Sequence, residues 1–351
     1  MTFAEARAAF PVLAHIAYLN AGTFGPLARK TVEAMAAEQQ ADLEQGRSGA
    51  SYFERWLELR DELRTRLAGL VHVAAEQVAL TASTTDGCNI VIAGLDLGPE
   101  DEVVTTNAEH FGLLGPLRVS GARVVVTPPD PDRILAAVTP RTRLIAVSQV
   151  LWTTGQLLPV RELREQSGLP ILVDGAQSVG AIPVDAAGLD FLTISGQKWL
   201  CGPDATGALV VADPERLRIA RPSHLSKESY EPDGRFTPHP GARRFEPNWL
   251  SVGTVAGLIA ALDLAPGWRY ERAAQTTSRC RTALEGKVDV LPGAATLVAF
   301  RPPEGQMPET IVTRLHEAGV VVRAIPGFEL VRASCGWWTS DDDLGRLAAA
   351  L

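Results

Sequence analysis

Residues 191–203 read FLTISGQKWLCGP, and the change of character within this stretch indicates the fold. An apolar run ends at Ser195-Gly196, and Lys198 follows almost at once among apolar neighbours. Burial disfavours the charged form of a lysine, so such a residue loses its proton more readily than a solvated one. Lys198 is therefore either a structural residue whose stem packs on apolar side chains or a residue that does chemistry.

Length and composition describe a globular protein without the features of a nucleic-acid or membrane protein. The chain has 351 residues, more than one hydrophobic core usually serves, which favours two domains. Its net charge of −8 is opposite to that of a nucleic-acid-binding face. No apolar run is long enough to span a bilayer, and residues 1–20 lack the pattern of a signal peptide. We therefore expect a cytoplasmic protein with neither a nucleic-acid nor a membrane partner.

The cysteines do not have the spacing of a metal site. Cys88, Cys201, Cys280 and Cys335 lie far apart, and no CxxC pair is present. We therefore predict no metal ligands and expect each cysteine to be a small buried side chain.

Short β-branched runs alternate with helical stretches through residues 78–211. The runs are continuously apolar instead of alternating, which is typical of a parallel or mixed sheet covered by helices on both faces. The chain beyond residue 253 changes to a β, α-β, β, α order, which predicts a small α+β domain. Ligands of α/β sheets gather at the carboxyl ends of the strands, so the residues that follow each strand are the candidates for a site.

Polar side chains follow most of the predicted strands. They are Ser83, Thr84, Thr85, Glu109, His110, Ser148, Gln149, Asp174, Gln177, Ser195 and Lys198. A neutral lysine forms Schiff bases, and an acid one strand away suits a pyridinium nitrogen. The hydroxyls at 83–85 precede a predicted helix, whose N-terminus suits a phosphate. Together these groups predict a site for pyridoxal 5′-phosphate, although each alone has a structural explanation as a cap, a turn residue or a packed side chain.

Residues 172–211 carry the pattern Asp-x-x-Gln, then Ser-Gly-x-Lys and Gly-Pro. This pattern strongly resembles the class V aminotransferase family, the cysteine-desulfurase-like branch of the fold-type I pyridoxal-phosphate enzymes. The resemblance covers nearly the whole chain through five further stretches: YLNAGTFGPL (18–27), TASTTDGCNIV (81–91), NAEHFG (107–112), RRFEPNW (243–249) and VRASCGWWTSDDDLGRL (331–347).

The resemblance implies an α/β fold with a mixed, mostly parallel seven-stranded sheet covered by helices, and a small C-terminal α+β domain. We expect an N-terminal arm at 1–24, a large cofactor-binding domain at 25–253 and the small domain at 254–351. The family also implies a homodimer whose active sites are bordered by the partner chain.

The family further implies a role for individual residues. Lys198 resembles the Schiff-base lysine and proton shuttle, Asp174 the partner of the pyridine nitrogen, and His110 the histidine that stacks on the ring. The resemblance also implies that Gln177 donates to the ring hydroxyl and that Thr84, Thr85 and Ser195 bind the phosphate. On the substrate side, Arg332 resembles the arginine that pairs with the carboxylate, and Gly22 lies where the backbone approaches the substrate.

Departures from the family pattern favour one activity. Desulfurases carry a nucleophilic cysteine on a loop before the carboxylate arginine, and residues 322–331 contain none. Trp152 stands where desulfurases have a substrate-binding asparagine, and L-cysteine/cystine C–S lyases have tryptophan there. Asn248-Trp249 replaces the pair whose threonine reaches the neighbouring phosphate, a contact that Asn248 would have to supply.

The resemblance and these departures therefore imply a C–S lyase that acts by β-elimination on cysteine, cystine or a related sulfur amino acid as its small-molecule amino-acid substrate. An aminotransferase, a desulfurase, an epimerase and a lyase for a larger thioether remain open within the same family. A pyridoxal-phosphate fold kept as a non-catalytic scaffold is the alternative from another class.

Overall fold

The computed structural model describes residues 1–247 and 249–351. Its α-helices are α1 (Phe3–Ala8), α2 (Arg29–Gln45), α3 (Gly49–Leu70), α4 (Thr84–Gly94), α5 (Phe111–Arg118), α6 (Pro131–Ala136), α7 (Val160–Ser167), α8 (Val252–Leu264), α9 (Arg269–Leu284), α10 (Pro308–Glu317) and α11 (Asp341–Ala350).

The strands are β1 (Ala17–Tyr18), β2 (Val78–Thr81), β3 (Glu102–Thr106), β4 (Arg123–Thr127), β5 (Thr142–Ser148), β6 (Ile171–Asp174), β7 (Phe191–Ser195), β8 (Gly207–Val211), β9 (Lys227–Tyr230), β10 (Phe236–Pro238), β11 (Asp289–Val290), β12 (Leu297–Arg301), β13 (Val320–Val321), β14 (Arg323–Ile325) and β15 (Leu330–Ser334).

The central sheet has seven strands in the order β2-β8-β7-β6-β5-β3-β4. Strand β8 runs antiparallel to both of its neighbours, and the remaining pairs are parallel. The predicted α/β architecture with a mixed, mostly parallel sheet is thereby confirmed. Because β2, β3, β5, β6 and β7 point the same way, their carboxyl ends meet at one edge of the sheet.

Hydrophobic cores cover both faces of this sheet. Consecutive residues of β6 belong to opposite cores: Val173 packs with Leu63 and Val104, whereas Leu172 packs with Leu113 and Leu144. Every residue of β6 and β7 is buried. This explains why these central strands are continuously apolar, since neither of their faces is left to solvent.

Helix α8 packs against α2 and α3, and its Val255 and Leu258 belong to the same core as Leu63. The expected boundary between residues 253 and 254 falls within the first turn of this helix. The division into 1–24, 25–253 and 254–351 stays a prediction.

The C-terminal part forms an antiparallel sheet in the order β11-β12-β15-β14, and the N-terminal arm is joined to it. Strand β1 pairs with β13 in parallel. The Ser334 N–H donates to the Leu19 carbonyl oxygen at 2.8 Å, and the Leu19 N–H donates to Val321 at 3.0 Å. These bonds place residues 20–24 over β15, so both ends of the chain contribute to one region. Within the described ranges, no helix combines the length and the apolar character needed to cross a membrane.

Candidate active site

The carboxyl ends of three adjacent strands bring the central candidates together. Ser148 of β5 pairs in register with Asp174 of β6, and Asp174 pairs with Thr193 of β7. Lys198 follows the end of β7 by three residues. The expected convergence of Asp174 and Lys198 at this edge is what the strand order produces.

Asp174 is held as a fixed acceptor. Its side chain is 4% exposed, and Oδ1 accepts hydrogen bonds from the Ala176 N–H at 2.9 Å and the Thr193 hydroxyl at 3.4 Å. Both hydrogen bonds end on Oδ1, so Oδ2 takes no part in holding the carboxylate in place. An acid oriented in this way suits a protonated ring nitrogen.

Lys198 has an unusually acidic ammonium group. The pKa of Lys198 is lowered from 10.5 to about 8: burial is the largest cause, Asp174 opposes it, and the charges of Arg332 and Arg323 add to the decrease. A lysine with this pKa has a substantial neutral fraction near neutral pH, which is the form that acts as a nucleophile or a base.

The N-terminus of α4 faces the same edge of the sheet. Ser83 caps the helix by accepting from the Asp86 N–H at 3.1 Å, so Thr84 and Thr85 occupy its first turn. The N–H groups of a first helical turn have no intrahelical partners and favour an anion. A Cβ placed on Gly112 would come within 2.5 Å of the Thr85 hydroxyl, so this turn and the start of α5 are closely packed.

His110 caps α5 through its own ring. Its Nδ1 accepts from the Gly112 N–H at 3.0 Å, which leaves the proton of the neutral ring on Nε2. Partial burial, and then the charge of Lys198, lower the pKa of His110. Both effects favour the neutral imidazole, and the hydrogen bond to the Gly112 N–H orients the ring at the helix end.

Gln177 and Ser195 are both buried and already hydrogen-bonded. Gln177 Nε2 donates to the Gly22 carbonyl oxygen at 2.8 Å, and its Oε1 accepts from the Trp199 indole at 2.9 Å. The Ser195 hydroxyl donates to Gln197 at 2.8 Å. The second N–H of the Gln177 amide keeps it able to donate to a ring hydroxyl.

Arg332 is a charged side chain of the site that is completely buried. It has no exposed surface, and burial lowers its pKa to about 9. Nη1 donates to the Trp152 carbonyl oxygen at 2.5 Å, whereas Nε and Nη2 have no partner among the described residues. A Cβ on Gly22 would lie 2.7 Å from Nη2, so any larger residue at this position would require the guanidinium to shift. Arg332, Gly22 and Trp152, predicted separately, are thus neighbours.

Arg323 is a second guanidinium that sequence reasoning missed. It pairs in register with Arg332 across β14 and β15, and its Nη1 donates to the Thr23 hydroxyl at 2.9 Å. Neither arginine forms an ion pair with a carboxylate in the part of the chain that the structure describes. The sequence shows an arginine at each of these two positions, but nothing in the loop between them indicates that the two strands pair with the arginines opposite each other.

Three aromatic rings border the site in a row. Trp152 meets His110 edge-on at a centroid distance of 5.0 Å, and Phe328 meets Trp152 edge-on at 6.0 Å. The Trp152 indole N–H is buried without a hydrogen-bond partner within the described residues. Phe328 lies on the exposed turn between β14 and β15, so its ring brings this turn into contact with Trp152.

The residues fit pyridoxal phosphate by their donor set and their unmatched polar atoms. The helix N-terminus at Thr84 and Thr85 suits the phosphate, and the fixed carboxylate of Asp174 suits the ring nitrogen. The unpartnered Nε and Nη2 of Arg332 are buried donors that suit the carboxylate of an amino acid bound next to the cofactor. The prediction for Asn248 lies outside the described residues.

Comparison with known proteins identifies the family. The family model for class V aminotransferases matches residues 18–331, so the chain belongs to the class V aminotransferase family. This confirms the predicted family, its dependence on pyridoxal phosphate and the prediction of an enzyme.

Two curated relatives carry different activities. The isopenicillin N epimerase of Streptomyces clavuligerus is 29% identical over 99% of this chain and 97% of its own length. The cysteine desulfurase CsdA of Escherichia coli is also 29% identical, over 92% of this chain and 87% of the relative.

Solved structures of the cystine C–S lyase C-DES resemble the whole chain. One contains its reaction product cysteine persulfide and matches with a TM-score of 0.91 and 28% identity, over 97% of this chain and 98% of that one. Another, with the same score and identity over 98% of both chains, carries glycine covalently linked to the pyridoxal-phosphate cofactor. The likeness thus extends to both the fold and the cofactor class.

Proposed function

We propose that this enzyme is a C–S lyase that acts by β-elimination on cystine or a related sulfur amino acid. The observation that carries the proposal is the placement of the thiols. Cys88, Cys201, Cys280 and Cys335 are all buried, and burial contributes to raising the pKa values of Cys88, Cys201 and Cys335. Such thiols supply no accessible thiolate to take sulfur from a substrate, which disfavours a desulfurase.

The cofactor would be held by residues already described. When bound, pyridoxal phosphate serves as the electron sink that makes the substrate Cα–H bond acidic. Asp174 would contact the pyridine nitrogen, His110 the ring, Gln177 the ring hydroxyl, and Thr84, Thr85 and Ser195 the phosphate. Lys198 would anchor the aldehyde carbon and, once released, accept the Cα proton on its neutral amine. A pKa of about 8 suits it to that exchange.

The two guanidiniums suit a substrate with two carboxylates. Arg332 would bind the α-carboxylate through Nε and Nη2, and Arg323, its neighbour across the strands, would bind a second anionic group. Cystine carries a carboxylate in each half, whereas cysteine carries one. Cleavage of the Cβ–S bond of cystine would release cysteine persulfide, and the remaining carbon skeleton would take up water to give pyruvate and ammonia.

We propose a homodimer, with a second copy covering the exposed apolar side chains near the site. Phe24 and Leu27 are 48% and 44% exposed, and they line a cleft with Gln197 and Pro203, beside Lys198. Trp249, 50% exposed, packs with Phe53 at a centroid distance of 6.5 Å. Exposed apolar surface of this kind marks interaction sites. A cytoplasmic location stays a prediction.

Epimerisation is the second candidate, because the epimerase relative aligns with nearly the whole chain. An epimerase would return the Cα proton from the opposite face and leave every bond to the side chain intact. The two activities therefore differ in whether carbon–sulfur bonds are broken.

A product assay tests the proposal. Purified enzyme would be incubated with pyridoxal phosphate and L-cystine or L-cysteine, without a keto-acid acceptor, and pyruvate, alanine and the D-amino acid would be measured. We expect pyruvate with persulfide from cystine. Alanine with sulfide would indicate desulfuration, and D-cystine without pyruvate would indicate epimerisation.

A further inference from the structure

Glu109 carries a buried carboxyl group next to the site, and it has no role in the proposed reaction. It is 4% exposed and lies in the turn between β3 and α5. Oε1 accepts from the Thr106 hydroxyl at 2.7 Å. Oε2 accepts from both the Ser148 N–H at 2.9 Å and the Ser148 hydroxyl at 2.5 Å. The carboxyl group thus joins the turn after β3 to the last residue of β5.

No positive charge compensates Glu109 among residues 1–247 and 249–351, because its hydrogen-bond partners are neutral hydroxyl and amide groups. Burial raises the pKa of Glu109 to about 7. Asp174 on β6 contributes to this increase, whereas the hydrogen bonds from Ser148 and Thr106 oppose it. Burial, and then the two carboxyl groups, raise the pKa of the Cys88 thiol on α4. His110, directly after Glu109 on the chain, is the other titratable group beside it.

A second buried glutamate, on strand β3 itself, shows the contrast. Glu102, at the amino end of β3, is 1% exposed and forms ion pairs with Arg123 and Arg141. A hydrogen bond from Thr139, then one from Arg141, lowers the pKa of Glu102. The amino end of β3, remote from the site, therefore carries a compensated carboxylate, whereas the turn that follows β3 at the site carries an uncompensated one.

The contacts of Glu109 connect two residues assigned to the cofactor. Glu109 precedes His110, and its partner Ser148 is in register with Asp174. We propose that Glu109 is a positioning residue that fixes His110 relative to Asp174 by clamping the turn after β3 to the end of β5. This inference rests on the binding of the cofactor but not on which amino acid is the substrate.

The chemistry of the clamp predicts which substitutions preserve it. In Glu109→Gln the amide oxygen still accepts from Ser148, and the amide N–H₂ donates to the Thr106 hydroxyl, which can also accept. Glu109→Ala removes all three bonds, and Ser148→Ala removes the hydroxyl bond while keeping the backbone one. The clamp is therefore lost in the alanine variant and kept in the glutamine variant.

The experiment compares these variants as holoenzymes. The visible circular dichroism of bound pyridoxal phosphate and its Kd would be measured for wild type, Glu109→Ala, Glu109→Gln and Ser148→Ala, with Glu102→Ala as the control for loss of a buried carboxyl group on β3. We expect Glu109→Ala to reduce the dichroism and raise the Kd by about tenfold, the effect of losing buried hydrogen bonds. Glu109→Gln should resemble wild type, and Ser148→Ala should be intermediate.

Glu102→Ala should lower the melting temperature and leave the dichroism unchanged. Unaltered cofactor dichroism in a folded Glu109→Ala enzyme, or equal losses in the Glu109 and Glu102 variants, would overturn the proposal. If Glu109→Ala does not fold, Ser148→Ala decides: normal dichroism and Kd in that variant count against the clamp. These readouts do not depend on lyase turnover, so they are independent of the product assay.

Discussion

The guanidinium of Arg332 donates a 2.5 Å hydrogen bond to the Trp152 carbonyl oxygen, which joins the C-terminal sheet to the loop after β5. Arg332 has no exposed surface, yet its Nε and Nη2 have no partner within the described residues. Under the proposed function, these two donors would bind the carboxylate of the substrate. The side chain of Trp152 meets the exposed Phe328 edge-on at a centroid distance of 6.0 Å.

Replacing Arg332 should weaken the binding of every amino-acid substrate. In Arg332→Ala we expect KM to rise for cystine and cysteine alike, because one partner of a buried charge pair is removed. The corresponding loss of binding free energy is about 2–5 kcal/mol. Arg332→Lys should recover only part of this, because an ammonium group cannot make the bidentate contact. Steady-state kinetics would give the KM values of both variants for both substrates. An unchanged KM would place the carboxylate site elsewhere.

Replacing Arg323 should discriminate between substrates. Arg323→Ala removes the guanidinium assigned to a second carboxylate, so kcat/KM should fall more for cystine than for cysteine. A tenfold difference between the two corresponds to about 1.4 kcal/mol. Arg301, an exposed arginine paired with Asp289 on the same sheet, provides a control in Arg301→Ala. Equal losses for cystine and cysteine would contradict the assignment.

Removing the lysine should stop turnover. Lys198→Ala eliminates the amine that would accept the Cα proton, a role that typically contributes about 10²–10⁴-fold. We expect pyruvate formation from cystine to fall by at least that factor while the other contacts still hold the cofactor. Stopped assays and the absorbance of bound cofactor would be compared in one preparation. Near-wild-type pyruvate formation in this variant would remove Lys198 from the mechanism.

Removing the thiols should leave the activity intact. Cys335 directly follows β15, the strand that carries Arg332, and its side chain is fully buried in the C-terminal core. Under the lyase proposal, Cys335→Ala and Cys88→Ala keep their rate of pyruvate formation per folded enzyme, although stability falls as buried volume is lost. A specific loss of activity in a variant that is still folded would favour a desulfurase.

The apoenzyme should respond to pH through its buried ionisable groups. The pKa of Glu109 is raised from 4.5 to about 7, so the folded state holds a proton that the unfolded state has lost. Stability from this group is present at low pH and declines as pH rises from 4.5 to 7. Thermal unfolding of Glu109→Gln should lack this decline, and an identical pH profile for both proteins would contradict it.

The contribution of Lys198 to stability changes with pH in the opposite direction. Its pKa is lowered from 10.5 to about 8, so the unfolded state binds the extra proton between these values. Its contribution to stability therefore rises with pH from about 8 to 10.5. Apoenzyme Lys198→Met, neutral at every pH, should show a flatter melting-temperature profile across this interval, and a profile parallel to wild type would contradict the lowered pKa of Lys198.

The sequence by itself determined the sheet and its central residues. Asp174 and Lys198 could be placed together because each follows a continuously apolar strand, and parallel strands end at a common edge. Thr84 and Thr85 could be placed at a helix start because Ser83 is a local cap. These are short-range features, and the helix and strand patterns that carry them are visible along the chain.

Tertiary structure alone decided the contacts between distant segments. The register that sets Arg323 beside Arg332, the approach of Gly22 to that guanidinium and the clamp from Glu109 to Ser148 follow from strand pairing and packing. Helix α9 and the hairpin of β9 and β10 were likewise absent from the sequence expectations. Periodicity and capping are local along the chain, whereas these contacts depend on the close packing of segments far apart in sequence.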